Sequence, residues 1–434
     1  MPTRSIRYRR GCAAVSALCG LLLVGAANAP AWAESTREKQ WFLDAMKADE
    51  MWRISTGKGI TVAVIDTGVD PNNPDLAGQV LPGKDFTEGQ PGDEHVDYAG
   101  HGTGMAGLIA GTGASNGGSG AFGLAPGTKI LPIRMPDSTK DANQAESNQR
   151  FNRIAPQAIR YAADQSAKVI NISLGTGRTE GSPQMTAAVK YALDKGALVF
   201  AAVGNYANVD NEVEYPAATP GVVGVAAVGR NLRKTAESEY GPQVDMAAPG
   251  DDMVHACKSD TGLCTSHGTS DATALASASA ALIWSKHPTW TNNQVLRVML
   301  NTLGGPTDGA KRNDSIGYGI VRPRVALENP GDPGPADVYP LPDLAASAAP
   351  PTPAPAGTPA GHAAPQAAGG GGSGASTYGL AAGIGAVALV GAFLGYWLLR
   401  SRRRKATAAQ DQVGTQGPGL GWPGQGDGGG TRGF

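Results

Sequence analysis

"ITVAVIDTGVD", residues 60–70, opens the part of the chain whose order decides the fold. It runs apolar or β-branched from Ile60 to Ile65, then stops on Asp66 and the turn pair Thr67-Gly68. A strand exposed on one face would alternate; an unbroken apolar run suits a strand covered on both. Four similar runs follow: "KILPIRM" (129–135), "KVINISL" (168–174), "ALVFAAV" (197–203) and "VVGVAAV" (222–228). Among them, "FNRIAPQAIRYAADQ" (151–165) and "SPQMTAAVKYALDKG" (182–196) show helical spacing. "TNNQVLRVMLNTL" (291–303) is another amphipathic helix, capped by Thr291 or Asn292. Strand and helix in alternation predict an α/β fold with a mainly parallel central sheet and helices on both faces.

The ends of the chain differ from this middle. Residues 1–33 carry a basic start, an apolar run and the small-residue pattern Ala31-Trp32-Ala33, which reads as a secretion signal cleaved after Ala33. Residues 34–58 are a polar, partly helical extension, too short for a folded pro-domain. From 330 to 377 the composition collapses to Pro, Ala and Gly; too few apolar anchors remain to offset chain entropy, so a disordered linker is expected. Residues 378–400 have the length and apolarity of one transmembrane helix, and "RSRRRK" follows at once. Basic residues stay cytoplasmic, so the body lies outside the membrane and the low-complexity tail, 401–434, inside. The formal net charge is −1, with no basic excess to suggest a nucleic-acid partner. Cys257 and Cys264 remain after signal removal, in an oxidising compartment with no competing thiol. They are expected to bridge; two free buried thiols are the alternative.

In open α/β sheets, chemistry gathers at the carboxyl ends of strands. Asp66 stands there, as a buried carboxylate or simply a turn-former. His101 opens "HGTGMAGLIAG", before small residues that allow close backbone approach, although a helix-capping loop histidine would look the same. Asn205 ends "VFAAVGN" and is either an amide donor for an oxyanion or a turn residue. Ser270, in "SHGTSDATALAS" (266–277), is either a helix N-cap or a hydroxyl held at the positive end of a helix.

Together, in the order Asp, His, Asn, Ser, these segments resemble the subtilisin-like serine peptidases over roughly residues 40–328, along with "VINISLG", "YPAA", "MAAPG" and "GYGIVRP". The resemblance implies a subtilisin-like three-layer sandwich, the peptidase domain at 59–329, and no cofactor. It implies that Asp66 orients His101, His101 is the base, Ser270 the nucleophile and Asn205 an oxyanion donor. Ser173, Leu174 and Gly175 would pair with an extended polypeptide substrate. A signal, a tether and an anchor on such a domain look like the mycosins, membrane-anchored proteases associated with type VII secretion systems; that likeness implies a secretion-complex partner. The different-class alternative is a catalytically idle scaffold of such a complex.

One departure stands out. The family has a proline four residues after its serine, in what is expected to be the first helical turn; here Ala274 takes that place and keeps good helix geometry. Asp271 beside the nucleophile is a second departure, and its charge would oppose an oxyanion. The acidic stretch "PGDEHVDYAGH" (91–101) reads as a solvated loop rather than a metal site, and His267 as a surface residue.

Overall fold

The computed structural model describes residues 35–177 and 181–348. The expected signal, membrane span and tail, and most of the linker, lie outside the described residues. Among the described residues no helix is long and apolar enough to cross a membrane.

Seven strands form the central sheet: β1 (Thr61–Asp66), β2 (Lys84–Asp85), β3 (Lys129–Arg134), β4 (Val169–Ile172), β5 (Leu198–Ala202), β6 (Val223–Val228) and β7 (Met246–Pro249). Their spatial order is β2-β3-β1-β4-β5-β6-β7, and every pairing is parallel. A hairpin, β8 (Met253–Ala256) with β9 (Leu263–Ser266), stands apart. The helices are α1 (Thr36–Lys39), α2 (Trp41–Met46), α3 (Ala48–Trp52), α4 (His101–Ala110), α5 (Gln144–Asp164), α6 (Pro183–Asp194), α7 (Thr269–Lys286), α8 (Asn292–Asn301), α9 (Pro323–Glu328) and α10 (Pro342–Ala348).

Strand side chains alternate between two cores. Val62 and Val64 of β1 face one core with Met105 and Leu108 of α4 and the apolar residues of α7. Ala63 and Ile65 face the other, with Ile154 and Ile159 of α5 and Met185 of α6. The sheet is therefore layered between helices, as its unbroken apolar strands require. β1 lies between β3 and β4, so the chain steps to either side of β1 and the carboxyl end of that strand opens at a switch of direction.

The polar extension belongs to this core. Phe42, Leu43 and Met51 have no exposed surface. Buried Gln40 donates to the carbonyls of Phe122 and Val254 and accepts from Phe122 N–H. Helix α5 starts at Gln144, ahead of the expected run, because Asn143 caps it by accepting from Glu146 N–H at 3.0 Å; Pro156 sits inside it.

The chain does not leave the body at residue 330, where the linker was expected to start. Arg297 donates to the carbonyls of Pro333, Pro335 and Val338. Tyr339 hydroxyl donates to Gly221 O at 2.9 Å, and Asp343 accepts from Gly221 N–H at 2.7 Å. Leu341, 2% exposed, joins the larger core. Composition hid this because side-chain hydrogen bonds, from Thr291, Asn293, Gln294 and Arg297 and to Gly221, hold the segment more than a hydrophobic stretch does. Leu341→Ala is expected to cost about 2–4 kcal/mol in chemical denaturation, whereas Val338→Ala, at a half-exposed position, changes stability by no more than about 0.5 kcal/mol.

Candidate active site

The carboxyl end of β1 delivers Asp66 into the interior, with no exposed surface. Its Oδ1 accepts from Thr67 N–H at 2.8 Å and lies 2.7 Å from His101 Nδ1. The imidazole is the first residue of α4, and that helix approaches β1 closely only because position 102 is glycine. A Cβ on Gly102 would lie 2.2 Å from Gly68 O and 3.0 Å from Asp66 Cβ.

What fixes the start of α4 is Asp97, which the acidic-loop reading missed. Asp93 is exposed, but Asp97 has no exposed surface. One of its oxygens accepts from Thr67 Oγ1, Ala99 N–H and Gly100 N–H, and the other from Thr103 N–H and Oγ1. It satisfies donors that the first turn leaves free, and it bridges that turn to the residue after Asp66. An Asp just ahead of a helix start was the signal available in the sequence.

The hairpin β8–β9, bridged between Cys257 and Cys264, leads through His267 and Gly268 into α7. His267 is exposed and faces Glu237 at 3.3 Å. Ser270 is the second residue of α7, so its N–H has no preceding helical carbonyl to bond. Its Oγ donates to Ser173 O at 3.2 Å, and Ser173 Oγ returns a bond to Ser270 O at 3.2 Å. The hydroxyl thus rests on the chain after β4 and not on the imidazole.

Asn205 follows β5. Its Oδ1 accepts from Thr269 N–H at 2.8 Å and from Thr269 Oγ1 at 3.1 Å, which fixes the amide and leaves Nδ2 as a donor beside Ser270. Ser173, Leu174, Gly175, Asn205 and Ser270 line one cleft of about 1120 Å³. Among the described residues, Leu174 and Gly175 have no backbone partner, as an edge open to a strand requires. Trp41, Trp52 and Trp284 instead donate to backbone carbonyls within the body.

The charges around His101 oppose one another. Burial pushes its pKa down, but the charge and hydrogen bond of Asp66, with smaller pushes from Asp271 when ionised and from Asp97, raise it to about 9. Asp271 is 1% exposed and does not face an oxyanion position: it accepts from Ser266 Oγ, which contacts His255 Nε2 at 2.8 Å. His255 Nδ1 faces Ala256 O at 2.9 Å and so must carry a proton. The one hydroxyl proton of Ser266 cannot serve both neighbours; either an imidazolium faces a carboxylate across it, or Asp271 keeps its proton. Burial raises the pKa of Asp271 and lowers that of His255, which favours the uncharged pair.

Ala274 corrects the expectation for the missing proline. Helix α7 begins at Thr269, so position 274 is its sixth residue, beyond the first turn. Alanine there retains the N–H that the helix ladder uses and fits with no exposed surface.

A family model for the subtilase family matches residues 57–319. Thermitase of Thermoactinomyces vulgaris is 37% identical over 246 residues, covering 55% of this chain and 82% of thermitase. The MycP3 protease from the type VII (ESX-3) secretion system superposes with a TM-score of 0.59 at 33% identity, covering 66% of this chain and 87% of that one. A chain in the periplasmic assembly from the ESX-5 inner membrane complex superposes with a TM-score of 0.58 at 27% identity, covering 76% of this chain and 90% of that one. With the family match spanning more than half of its length and the fold agreeing, the chain belongs to the subtilase family, as a subtilisin-like serine endopeptidase with mycosins among its structural relatives.

Proposed function

We propose that this protein is an extracytoplasmic endopeptidase, anchored by residues 378–400 and working at a type VII secretion complex. The observation that carries the catalytic part is the 2.7 Å contact between buried Asp66 and His101 Nδ1, at the start of a helix that packs against the helix carrying Ser270. In this reading Ser270 Oγ attacks the scissile carbonyl and gives its proton to His101 Nε2. His101 then passes that proton to the leaving amine, and water releases the acyl group by the reverse exchange. Asp66 keeps the Nδ1–H tautomer and balances the imidazolium. Asn205 Nδ2 and Ser270 N–H hold the oxyanion, and Leu174 and Gly175 pair with the substrate backbone.

Location and partner rest on other support: the signal of 1–33, the basic stop after 378–400, and likeness to a chain of a periplasmic secretion assembly. The idle-scaffold reading has one observation in its favour, the resting contact of Ser270 Oγ with Ser173 O. Rotation about χ1 of a serine is inexpensive, so that contact delays the hydroxyl more than it removes it.

A fluorophosphonate probe separates the two readings. Labelling of the folded protein that is lost in Ser270→Ala supports the enzyme; no labelling between about pH 7 and pH 10 supports the scaffold. A base must be neutral, and the His101 pKa is raised to about 9, so labelling rate and kcat/KM are expected to climb through about pH 9. A limb near the ordinary histidine value would sink the electrostatic account. Asn205→Ala is expected to lower kcat by about 10²–10³ with little change in KM, a magnitude established for subtilisin, a member of this same family. Asp66→Asn, which removes the tautomer control, is expected to lower kcat by about 10⁴.

A further inference from the structure

Beside Ser270 the cleft is bounded by two bare backbone walls, at Gly175 and at Gly204. A Cβ on Gly175 would meet Glu214 Oε2 at 2.7 Å. A Cβ on Gly204 would meet Glu239 Oε2 at 2.4 Å and Glu214 Cδ at 2.8 Å. Two carboxyl groups are therefore close neighbours at this end of the cleft, and both belong to its lining. Glu214 is half-buried. Glu239 lies behind it with no exposed surface, and neither of its oxygens meets a donor at hydrogen-bond geometry.

We propose that this end of the cleft is a pocket for a cationic substrate side chain, arginine or lysine at the residue before the scissile bond, with Glu214 as its direct partner and Glu239 as the reinforcing charge behind. The proposal builds on the reading of Ser270 as nucleophile, because the side chain preceding the scissile bond must enter the recess next to the attacking hydroxyl and Asn205. A buried carboxyl without a partner is costly unless it stays protonated or meets a cation. Among the described residues no lysine or arginine pairs with Glu214 or Glu239. Lys234, the nearest along the chain to Glu239, donates to the carbonyls of Thr235 and Ser238, and Arg150, elsewhere on the cleft, pairs with Asp141.

The electrostatics agree. Burial, then repulsion from Glu214, raises Glu239 to about 8 against the opposing pull of Tyr206 N–H, with smaller pushes from Glu212 and Asp210. Burial, then Glu212, raises Glu214 to about 7. The empty pocket thus keeps a proton at neutral pH that a guanidinium would displace, giving two charge-assisted contacts in return. A metal ion is a poorer occupant, since among the described residues no group of three or more His, Cys, Asp or Glu could hold one.

The test uses the full-length protein and peptides identical except for Arg, Lys, Leu or Glu before the cleaved bond. Cleavage of the Arg peptide is expected to exceed that of the Leu peptide by about tenfold or more in kcat/KM, with the Glu peptide poorest. That Arg/Leu ratio should fall about tenfold in Glu214→Gln and less in Glu239→Gln. Benzamidine, an aryl amidinium, should shield Ser270 from the fluorophosphonate, and by calorimetry should bind more tightly at about pH 9 than at about pH 6, because its partners must ionise. A Leu preference at every pH, or a ratio unmoved by both variants, overturns the pocket. If Ser270 labels but benzamidine neither shields nor binds, only the pocket fails. If nothing labels, the nucleophile reading fails, and calorimetry still decides the pocket: no benzamidine binding overturns it, whereas pH-dependent binding supports it.

Discussion

The architecture depends on a helix that is buried on every side. From Thr269 to Trp284, α7 has no residue at the surface, so each polar group along it must be satisfied by protein. Thr273 and Ser279 return their hydroxyls to carbonyls one turn back, at 2.7 Å each. Ser277 donates to Asn171 Oδ1 at 3.0 Å, Asn171 Nδ2 donates to Ser173 Oγ at 3.1 Å, and Ser173 Oγ donates to Ser270 O. This chain of bonds ties the middle of the sheet to the first turn of the helix. The backbone that carries the Ser270 hydroxyl is fixed because the helix behind it cannot rotate without breaking buried bonds.

Much of this was legible in the sequence. Unbroken apolar strands cannot face water, so the layered sheet followed from five runs, and Asp66, His101, Asn205 and Ser270 drew notice as polar residues at strand ends or helix starts. The unread parts have physical reasons. Asp97 sat in an acidic stretch, where its place just ahead of a helix start was the one local signal; its bond to Thr67, thirty residues away, shows only in the fold. Segment 330–344 looked like a tether because its hold comes from Gly221 and from the start and face of α8, remote in sequence. Glu214 and Glu239 are separated by strand β6, and only the fold makes them neighbours.

The same contrast governs charge. Asp66 and Asp97 are both sealed from water, Asp66 bonded through one oxygen to Thr67 N–H and His101, Asp97 through both oxygens to Thr67 and the start of α4. Asp271 is sealed with a single hydroxyl and an imidazole for company, and burial there favours the acid form. Three aspartates near one histidine therefore do different work: one orients the ring, one anchors the helix, and one ties the β9 hairpin to α7 through Ser266.

Glu214 is carried by the connection between β5 and β6, whereas the hydroxyl and the imidazole begin α7 and α4. The acid that would choose a substrate therefore shares its connection with Asn205 but lies on a different piece of chain from the hydroxyl and the imidazole. A lineage can exchange one acid in that connection for an apolar residue and acquire a new diet while its cutting apparatus is left untouched.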